Sequence, residues 1–529
     1  MKAHLMYRDR DFGRELESLV MRPWDAKAGP KLLPNEEALT QDLELNTLFG
    51  AMAGGDNCLF AVARQAILSG LQDDPETILY RQAVLKDCLR NESIVRDLYD
   101  IAVDATEGER RRWLGISSRY PHGILYDALR LLQVLMDELA RLKHVADEQA
   151  DKFESEGFTI FFQMLKAELT DDYFAAVKSQ LKELEFRNGV LMSAQLGAGN
   201  QGDNYILRKS LRPKPSWLQR VFSWNSSAYT FHVDPRDEAG FRVLSELQER
   251  GINLVANAAA QSADHIASFF AMLRTELAFY VGCLNLHDQL GRKGTPVCLP
   301  VPAPTGAPKF SCAGLRDVCL ALVSAERSVV GNDTDADGKN LVIITGANQG
   351  GKSTFLRGVG LAQLMMQCGM FVTAESFSAD ICRSLFTHYK REEDATMTSG
   401  KFDEELARMS GIADTLTPDS LLLFNESFAA TNEREGSEIA RQIVHALLET
   451  RVKIFFVTHL YEFAHAFWED KLDGALFLRA ERQVNGQRTF KLLPGEPLET
   501  SFGVDLYKEI FDGASHDRRD APAFQEDKS

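Results

Sequence analysis

The chain lacks several features that would assign it to common classes of protein. It contains eight cysteines but no C-x-x-C pair, so neither a zinc site nor a disulfide framework is indicated. No stretch approaches the ~20 consecutive apolar residues that a membrane-spanning helix requires, and residues 1–10 lack the apolar core of a signal peptide. We therefore expect a cytoplasmic protein with reduced thiols and no membrane partner.

Positive charge is also in short supply. The chain contains 59 Lys and Arg residues and 76 Asp and Glu residues, which gives a formal net charge of −17. This balance argues against a surface that coats a polyanion over the whole molecule, although a local basic face would suffice for nucleic acid. With 529 residues, 45% of them apolar, the chain is long enough for several domains with sizeable cores.

The strongest chemical signal is a glycine-rich loop that follows the apolar run 341–344. Its spacing is G-x-x-x-x-G-K-[ST], and a predicted helix follows it. Glycines let backbone N–H groups converge on an anion, and the helix N-terminus adds the positive end of its dipole. The lysine can reach the β- and γ-phosphates, and the serine hydroxyl can bind Mg²⁺. The predicted site for a nucleoside triphosphate comprises Gly346, Ala347, Asn348, Gln349, Gly350, Gly351, Lys352 and Ser353.

Helical periodicity dominates the first ~290 residues. Apolar residues recur every three or four positions, which is typical of a packing face and not of a chemical site. Such long helices suit a bundle or a lever. The two clearest stripes are Leu125, Leu129, Leu132, Met136, Leu139 and Leu142, and Ile266, Phe269, Leu273, Leu277, Tyr280 and Leu284.

The pattern changes after a segment rich in proline and glycine. Apolar runs then alternate with predicted helices, which favours an α/β domain whose strands, at 341–344, 421–424, 454–457 and 475–478, are buried on both faces. The predicted fold class is therefore multidomain, a mostly helical region followed by a phosphate-loop α/β domain. Its predicted parts are an N-terminal extension (1–40), a helical region (41–292), a linker (293–309), the α/β domain (310–513) and a disordered tail (514–529).

A basic segment interrupts the helical region. After the glycine-rich stretch 197–202, residues 208–220 contain five cations, no acid and Trp217. One interpretation is contact with the phosphate backbone of a nucleic acid, with aromatic support. The other is a solvated basic loop, or a patch paired with acidic groups of this protein. The five cations are Arg208, Lys209, Arg212, Lys214 and Arg220.

Two further strand ends supply candidate catalytic residues. Hydrolysis of a triphosphate needs a group that holds Mg²⁺ and a group that positions or deprotonates water. Asn425 and Glu426 follow the strand 421–424, so Asn425 is a candidate metal ligand and Glu426 a candidate general base or water-orienting residue. His459 follows the strand 454–457 and can donate a hydrogen bond to a γ-phosphate. The alternatives are that Glu426 is an ordinary acidic residue at a strand end and that His459 is a structural histidine.

These residues resemble the MutS family of DNA mismatch repair ATPases. Segment 345–354 fits its T-G-x-N-x-G-G-K-S-T loop, which adds Thr354 to the nucleotide-binding residues, and segment 456–463 is similar to its A-T-H-x-x-E-L. The resemblance implies an ABC-type ATPase with ATP and Mg²⁺, in which the two subunits of a homodimer on DNA sandwich each nucleotide. Ser399 lies where the family has S-T-F at a helix start. It is a candidate contact across the dimer, with a helix N-cap as the alternative.

The chain departs from the family pattern in ways that shape the functional hypothesis. Asn425 stands where the family usually has Asp, and only Thr431 and Gly436 resemble the glycine-rich run that follows Glu426. The core-like region begins near residue 40, which leaves no room for a mismatch-reading wedge. A clamp would have to lie within residues 205–255. We therefore expect binding to branched or duplex DNA in repair or recombination. A non-hydrolysing, ATP-gated protein-interaction module is the alternative.

Overall fold

The computed structural model describes twelve stretches of the chain, which fall into two compact units. The first unit takes its residues from 1–5, 9–29 and 91–277, and the second from 6–8, 30–90 and 278–529. The described residues are 1–10, 12, 32–69, 71–113, 121–186, 189–200, 202–208, 237–325, 329–347, 349–391, 400–482 and 488–498.

The described residues form fourteen α-helices. They are α1 (Glu36–Asp42), α2 (Leu45–Ala53), α3 (Asn57–Leu68), α4 (Pro75–Arg90), α5 (Glu92–Trp113), α6 (Pro121–Gln149), α7 (Glu156–Glu168), α8 (Asp171–Leu184), α9 (Glu238–Arg292), α10 (Val318–Val323), α11 (Lys352–Gln367), α12 (Lys401–Thr415), α13 (Glu433–Glu449) and α14 (Tyr461–Glu469).

Twelve strands occur in the same stretches, in three sheets. They are β1 (Met192–Leu196), β2 (Gly202–Leu207), β3 (Val301–Ala303), β4 (Phe310–Leu315), β5 (Asn332–Asp335), β6 (Leu341–Thr345), β7 (Ser376–Asp380), β8 (Leu385–Tyr389), β9 (Leu421–Asn425), β10 (Lys453–Val457), β11 (Ala475–Arg482) and β12 (Arg488–Pro494). The sheet orders are β1-β2, β12-β11-β6-β10-β9-β8 and β3-β7-β4-β5.

The first unit is mainly helical, as the apolar periodicity predicts. All six members of the first stripe are buried on α6, with exposures between 0% at Leu142 and 8% at Met136. Rings of Phe153, Phe158 and Phe162 pack against one another with centroids 4.4–5.8 Å apart at the start of α7. The predicted packing face is therefore confirmed.

Sequence periodicity misses the hairpin of β1 and β2 in this unit. The two strands are antiparallel, with Met192 opposite Leu207, and the predicted glycine-rich loop connects them. Three of the five residues of β1 are exposed, so no buried face imposes the alternation by which a strand is recognised. Residues 238–255, the end of the predicted clamp segment, lie in α9.

Helix α9 carries the second apolar stripe. All six members are buried, and residues 238–277 of the helix belong to the first unit while 278–292 belong to the second. In the part of the chain that the structure describes, this is the one helix long and apolar enough to cross a bilayer. Within its apolar 18-residue window, 89% is buried inside the protein, which is the pattern of a core helix.

The second unit contains the six-stranded sheet and, with it, helices α1 to α4. Arg81 on α4 is 1% exposed; its Nε donates to the carbonyl oxygen of Met6 at 2.9 Å, and its guanidinium lies 4.4 Å from the ring centroid of Tyr7. The predicted boundaries place 41–90 with the helical region, whereas these residues belong to the second unit, which contains the sheet. Strand β3 lies within the predicted linker 293–309.

The four predicted strands of the α/β domain are confirmed as β6, β9, β10 and β11. They run parallel to one another and to β8, and only the edge strand β12 is antiparallel. Every residue of β6 and β10 is buried, because helices cover both faces of the sheet. The predicted combination of helical and α/β structure is confirmed.

Register brings three strand ends to the same edge of this sheet. Val457 of β10 pairs with Ile344 of β6 on one side and with Asn425 of β9 on the other. On one face, Phe424 and Phe456 stack with centroids 4.7 Å apart above a core shared with α13 and α14. The loops that leave β6, β9 and β10 therefore meet at the carboxyl edge, the usual position of a ligand site in such a sheet.

Candidate nucleotide-binding site

The loop between β6 and α11 has a backbone that requires glycine. Gly346 has φ +118° and Gly351 has φ +88°, both in the region that side chains disfavour. A Cβ on Gly346 would lie 2.9 Å from the backbone nitrogen of Ala480, and one on Gly350 would lie 2.7 Å from the Ala480 Cβ. Of the predicted loop residues, Asn348 lies outside the described residues.

Lys352 opens α11 and is buried beneath this loop at 4% exposure. Its Nζ donates to the carbonyl oxygens of Gly346 at 2.8 Å and Ala347 at 2.9 Å. Burial lowers the pKa of its ammonium to about 8, while the charge of Glu426 acts in the opposite direction. A polyanion bound in the loop would favour the charged ammonium in the same way.

The two predicted metal ligands are in contact. The Ser353 hydroxyl, at the second position of α11, donates to Oδ1 of Asn425 at 2.8 Å. Both are neutral oxygen donors of the kind that Mg²⁺ accepts alongside phosphate oxygens and water. Thr354, the next residue of the helix, is half-buried.

The two predicted catalytic side chains also meet. Glu426 follows β9 directly, and its backbone N–H donates to the carbonyl oxygen of Val457 at 2.9 Å. The Nε2–H of His459, two residues beyond β10, donates to Oε1 of Glu426 at 3.0 Å. This hydrogen bond is the largest of the effects that lower the Glu426 pKa, so the carboxylate is ionised at neutral pH.

The structure therefore brings Lys352, Ser353, Asn425, Glu426 and His459 to one edge of the sheet. Ser399 lies outside the described residues. The N-cap residue of helix α12 is Gly400, and no side-chain hydrogen bond caps the helix there. A contact of Ser399 with a nucleotide on a partner subunit stays a prediction, as do the individual roles of the other site residues.

Two family models match this chain. The family model for the MutS2 N-terminal domain matches residues 73–293, and the model for MutS domain V matches residues 342–510, which contain all five of these side chains. Together the two matches cover most of the chain. This chain belongs to the MutS family.

Individual relatives match over shorter stretches. MutS protein homolog 4 from Mus musculus is 35% identical over 162 residues, which are 31% of this chain and 16% of the relative. The DNA mismatch repair protein MutS from Porphyromonas gingivalis is 34% identical over 206 residues, and that from Chlorobium chlorochromatii 32% over 201. Each alignment covers 37% of this chain, and the chain spans 22% and 23% of those two relatives.

Sequence reasoning misses the contribution of the β11–β12 hairpin to the site of this MutS-family protein. Arg488, the first residue of β12, donates to Oε1 of Gln349, and the Phe490 carbonyl oxygen would lie 3.3 Å from a Cβ on Gly351. The β11–β12 hairpin, which lies about 130 residues further along the chain, therefore packs against a second side of the loop. No local motif marks these residues, because their role depends only on the pairing of β11 with β6.

The predicted nucleic-acid segment lies largely beyond the described residues of this MutS-family chain. Arg208 follows β2, and its Nε donates to the Ser193 hydroxyl at 2.9 Å across the hairpin. The other four cations, Lys209, Arg212, Lys214 and Arg220, lie outside the described residues, so a nucleic-acid role for this segment stays a prediction.

Proposed function

We propose that this chain is a DNA-binding ATPase that binds MgATP at the loop 345–354 and hydrolyses it slowly. The observation that carries the proposal is the meeting of Lys352, Ser353, Asn425, Glu426 and His459 at one sheet edge. Proteins with MutS domain V are ATPases, and members of the family bind DNA and act as dimers.

We assign each side chain a proposed role from its surroundings. The Lys352 ammonium, with the amides of Gly350 and Gly351, would bind the β- and γ-phosphates. The lowered pKa of Glu426 makes its carboxylate a weak base, which suits a group that orients a water molecule more than one that removes its proton. The Nε2–H of His459 donates to that carboxylate, and in the proposed ATP-bound form it would donate to the γ-phosphate instead.

The donor set fits a magnesium ion that arrives with the nucleotide. Ser353 and Asn425 offer two neutral oxygens, and no cluster of three His, Cys, Asp or Glu side chains able to hold a metal alone occurs among the described residues. Bound with ATP, Mg²⁺ would neutralise phosphate charge. The amide of Asn425 lacks the negative charge of an aspartate, and hydrolysis should be slow for that reason.

The wider functional setting rests on the family and on the sequence. We infer a cytoplasmic homodimer in which Ser399 of one subunit faces the nucleotide of the other, and in which ATP drives a change of shape on branched or duplex DNA. Two of the relatives are named as DNA mismatch repair proteins. The cations from Arg208 to Arg220 would contact the phosphate backbone.

ATP turnover of the purified protein, with and without DNA, tests the proposal. Turnover that requires Mg²⁺ and is abolished in Lys352→Ala is the expected result. A gel-shift comparison of branched, mismatched and plain duplex DNA tests the nucleic-acid part, and the absence of binding to all three would remove it. Absence of saturable ATP affinity in calorimetry would overturn the proposal as a whole.

Asn425 favours one alternative, a non-hydrolysing module in which ATP gates contact with another protein. The chain would then bind MgATP tightly and release it unchanged. Tight binding of ATP by the wild type with no phosphate release, with or without DNA, is the result that would select this alternative.

A further inference from the structure

The turn that carries Glu426 has an unusual backbone. Glu426 has φ +55° and Phe428 has φ +62°, so two of three consecutive residues occupy the left-handed region without being glycine. Such conformations persist only when surrounding contacts impose them. The contacts around residues 426–428 therefore determine where the Glu426 carboxylate points.

Two of those contacts come from helices on either side of the turn. The Phe428 N–H donates to Oε2 of Glu405, a residue of α12 that is 3% exposed. The Phe428 carbonyl oxygen faces Gly436 of α13 so closely that a Cβ there would lie 2.3 Å away. Helix α12 thus supplies the hydrogen-bond acceptor for the turn. Helix α13 packs directly against the turn at Gly436, where there is no room for a side chain.

A third contact comes from His388 on the neighbouring strand β8. Its ring stacks on Phe428 with centroids 5.3 Å apart and an angle of 18° between the planes. Its Nε2 lies 3.0 Å from the carbonyl oxygen of Glu405 and its Nδ1 lies 2.7 Å from the Ser427 hydroxyl. A carbonyl oxygen only accepts, so Nε2 carries the hydrogen. All four residues are at most 3% exposed.

These bonds join α12, β8 and the catalytic turn into one polar network. Arg408 adds a second tie between α12 and β8, since its Nη2 donates to the Tyr389 carbonyl oxygen at 3.0 Å. The amide of Phe428 is buried, so without Glu405 it would lose its partner at a position that water does not reach.

We propose that Glu405 and His388 are positioning residues that hold the turn 426–428, and through it the Glu426 carboxylate, in register with helix α12. A displacement of α12 then moves Glu426 without any change in the phosphate loop. The inference rests on the proposed function, because Glu426 is its output. Under this proposal, a displacement of α12 changes the rate of ATP turnover while ATP affinity stays constant.

The test compares Glu405→Ala with Glu405→Gln. Glutamine keeps an oxygen that accepts from the Phe428 N–H, whereas alanine does not. We expect Glu405→Ala to lower kcat for ATP at least tenfold with KM and ATP affinity within about twofold of wild type, and Glu405→Gln to retain most of kcat. Ser427→Ala, a smaller change that removes the His388 contact, should lower kcat by less.

A measurement independent of activity accompanies the kinetics. Amide hydrogen exchange of peptides that span residues 425–432 should accelerate in Glu405→Ala and not in Glu405→Gln, while exchange across 345–354 is unchanged in both. Faster exchange at 425–432 in a protein without turnover would uphold the positioning role and overturn the ATPase proposal. Unchanged exchange in Glu405→Ala, or equal loss of kcat in both variants, would overturn the positioning role.

Discussion

Replacement of Gly350 by alanine tests the geometry of the phosphate loop directly. A Cβ at this position would lie 2.7 Å from the Ala480 Cβ and 3.0 Å from the Ala347 carbonyl oxygen. Neither neighbour is the end of a flexible side chain, since one belongs to strand β11 and the other to the loop backbone. The loop or the strand must therefore shift.

The expected cost is that of overpacking a close-packed site, about 1–3 kcal/mol. Because the loop must keep its shape to bind phosphate, we expect most of this cost in ATP affinity. Each 1.4 kcal/mol corresponds to a tenfold change, so affinity should fall about 5- to 150-fold. Calorimetric titration of ATP into wild type and Gly350→Ala measures the difference.

A compensating substitution separates this overlap from other effects. Gly350→Ala combined with Ala480→Gly removes the 2.7 Å overlap and leaves only the 3.0 Å contact with Ala347, so affinity should recover in part. Gly411→Ala on α12 is the matched control, because a Cβ added there would have no atom within 4 Å, and alanine should stabilise the helix by about 0.5–1 kcal/mol. Wild-type affinity in Gly350→Ala, or no recovery in the double variant, would refute the reasoning.

Three further predictions concern the chemistry of the site. With the Lys352 pKa at about 8, ATP affinity should be full below that pH and fall as pH rises through it, and Lys352→Arg should remove this dependence in calorimetry between pH 7 and 9.5. Asn425→Asp should lower the Mg²⁺ concentration for half-maximal turnover about tenfold, because a carboxylate oxygen binds the ion more strongly than a neutral amide oxygen; an unchanged Mg²⁺ titration would contradict the assigned role. Glu426→Gln should retain ATP affinity and lose at least 100-fold in kcat, measured by phosphate release.

Much of this site can be predicted from the sequence, because its residues follow buried parallel strands. Strands such as β6 and β10 appear as continuous apolar runs, and parallel register carries their carboxyl ends to one edge. Asn425 and His459 could therefore be predicted to lie near the loop without any knowledge of packing. The contact between Ser353 and Asn425 follows from the same register.

Other parts of the site have no local signal. Ala480 and Arg488 contact the loop only because β11 and β12 pair beside β6, and an alanine or arginine in a strand carries no chemical pattern. The hairpin β1–β2 could not be predicted, because few of its residues are buried and no buried face imposes a pattern on the sequence of its strands. The role of Glu405 depends on the left-handed backbone conformation of Phe428. A phenylalanine in the sequence does not predict that conformation, because residues other than glycine adopt it rarely.

We expect the electrostatics of the proposed nucleotide site to favour binding of ATP over its turnover. The glycine loop uses backbone amides, and the carboxylate that favours the charged form of Lys352 is Glu426 and not residue 425, so Asn425 leaves both intact. Hydrolysis depends on groups that are weakened, since the metal ligand is neutral and the Glu426 carboxylate, with its pKa lowered by His459, is a weak base. We therefore expect this site to stabilise the charge that develops in the transition state less than a site with a charged metal ligand would. We expect the ATP-bound form to persist between turnovers, which suits a protein whose bound nucleotide sets a conformation more than it supplies a rapid cycle.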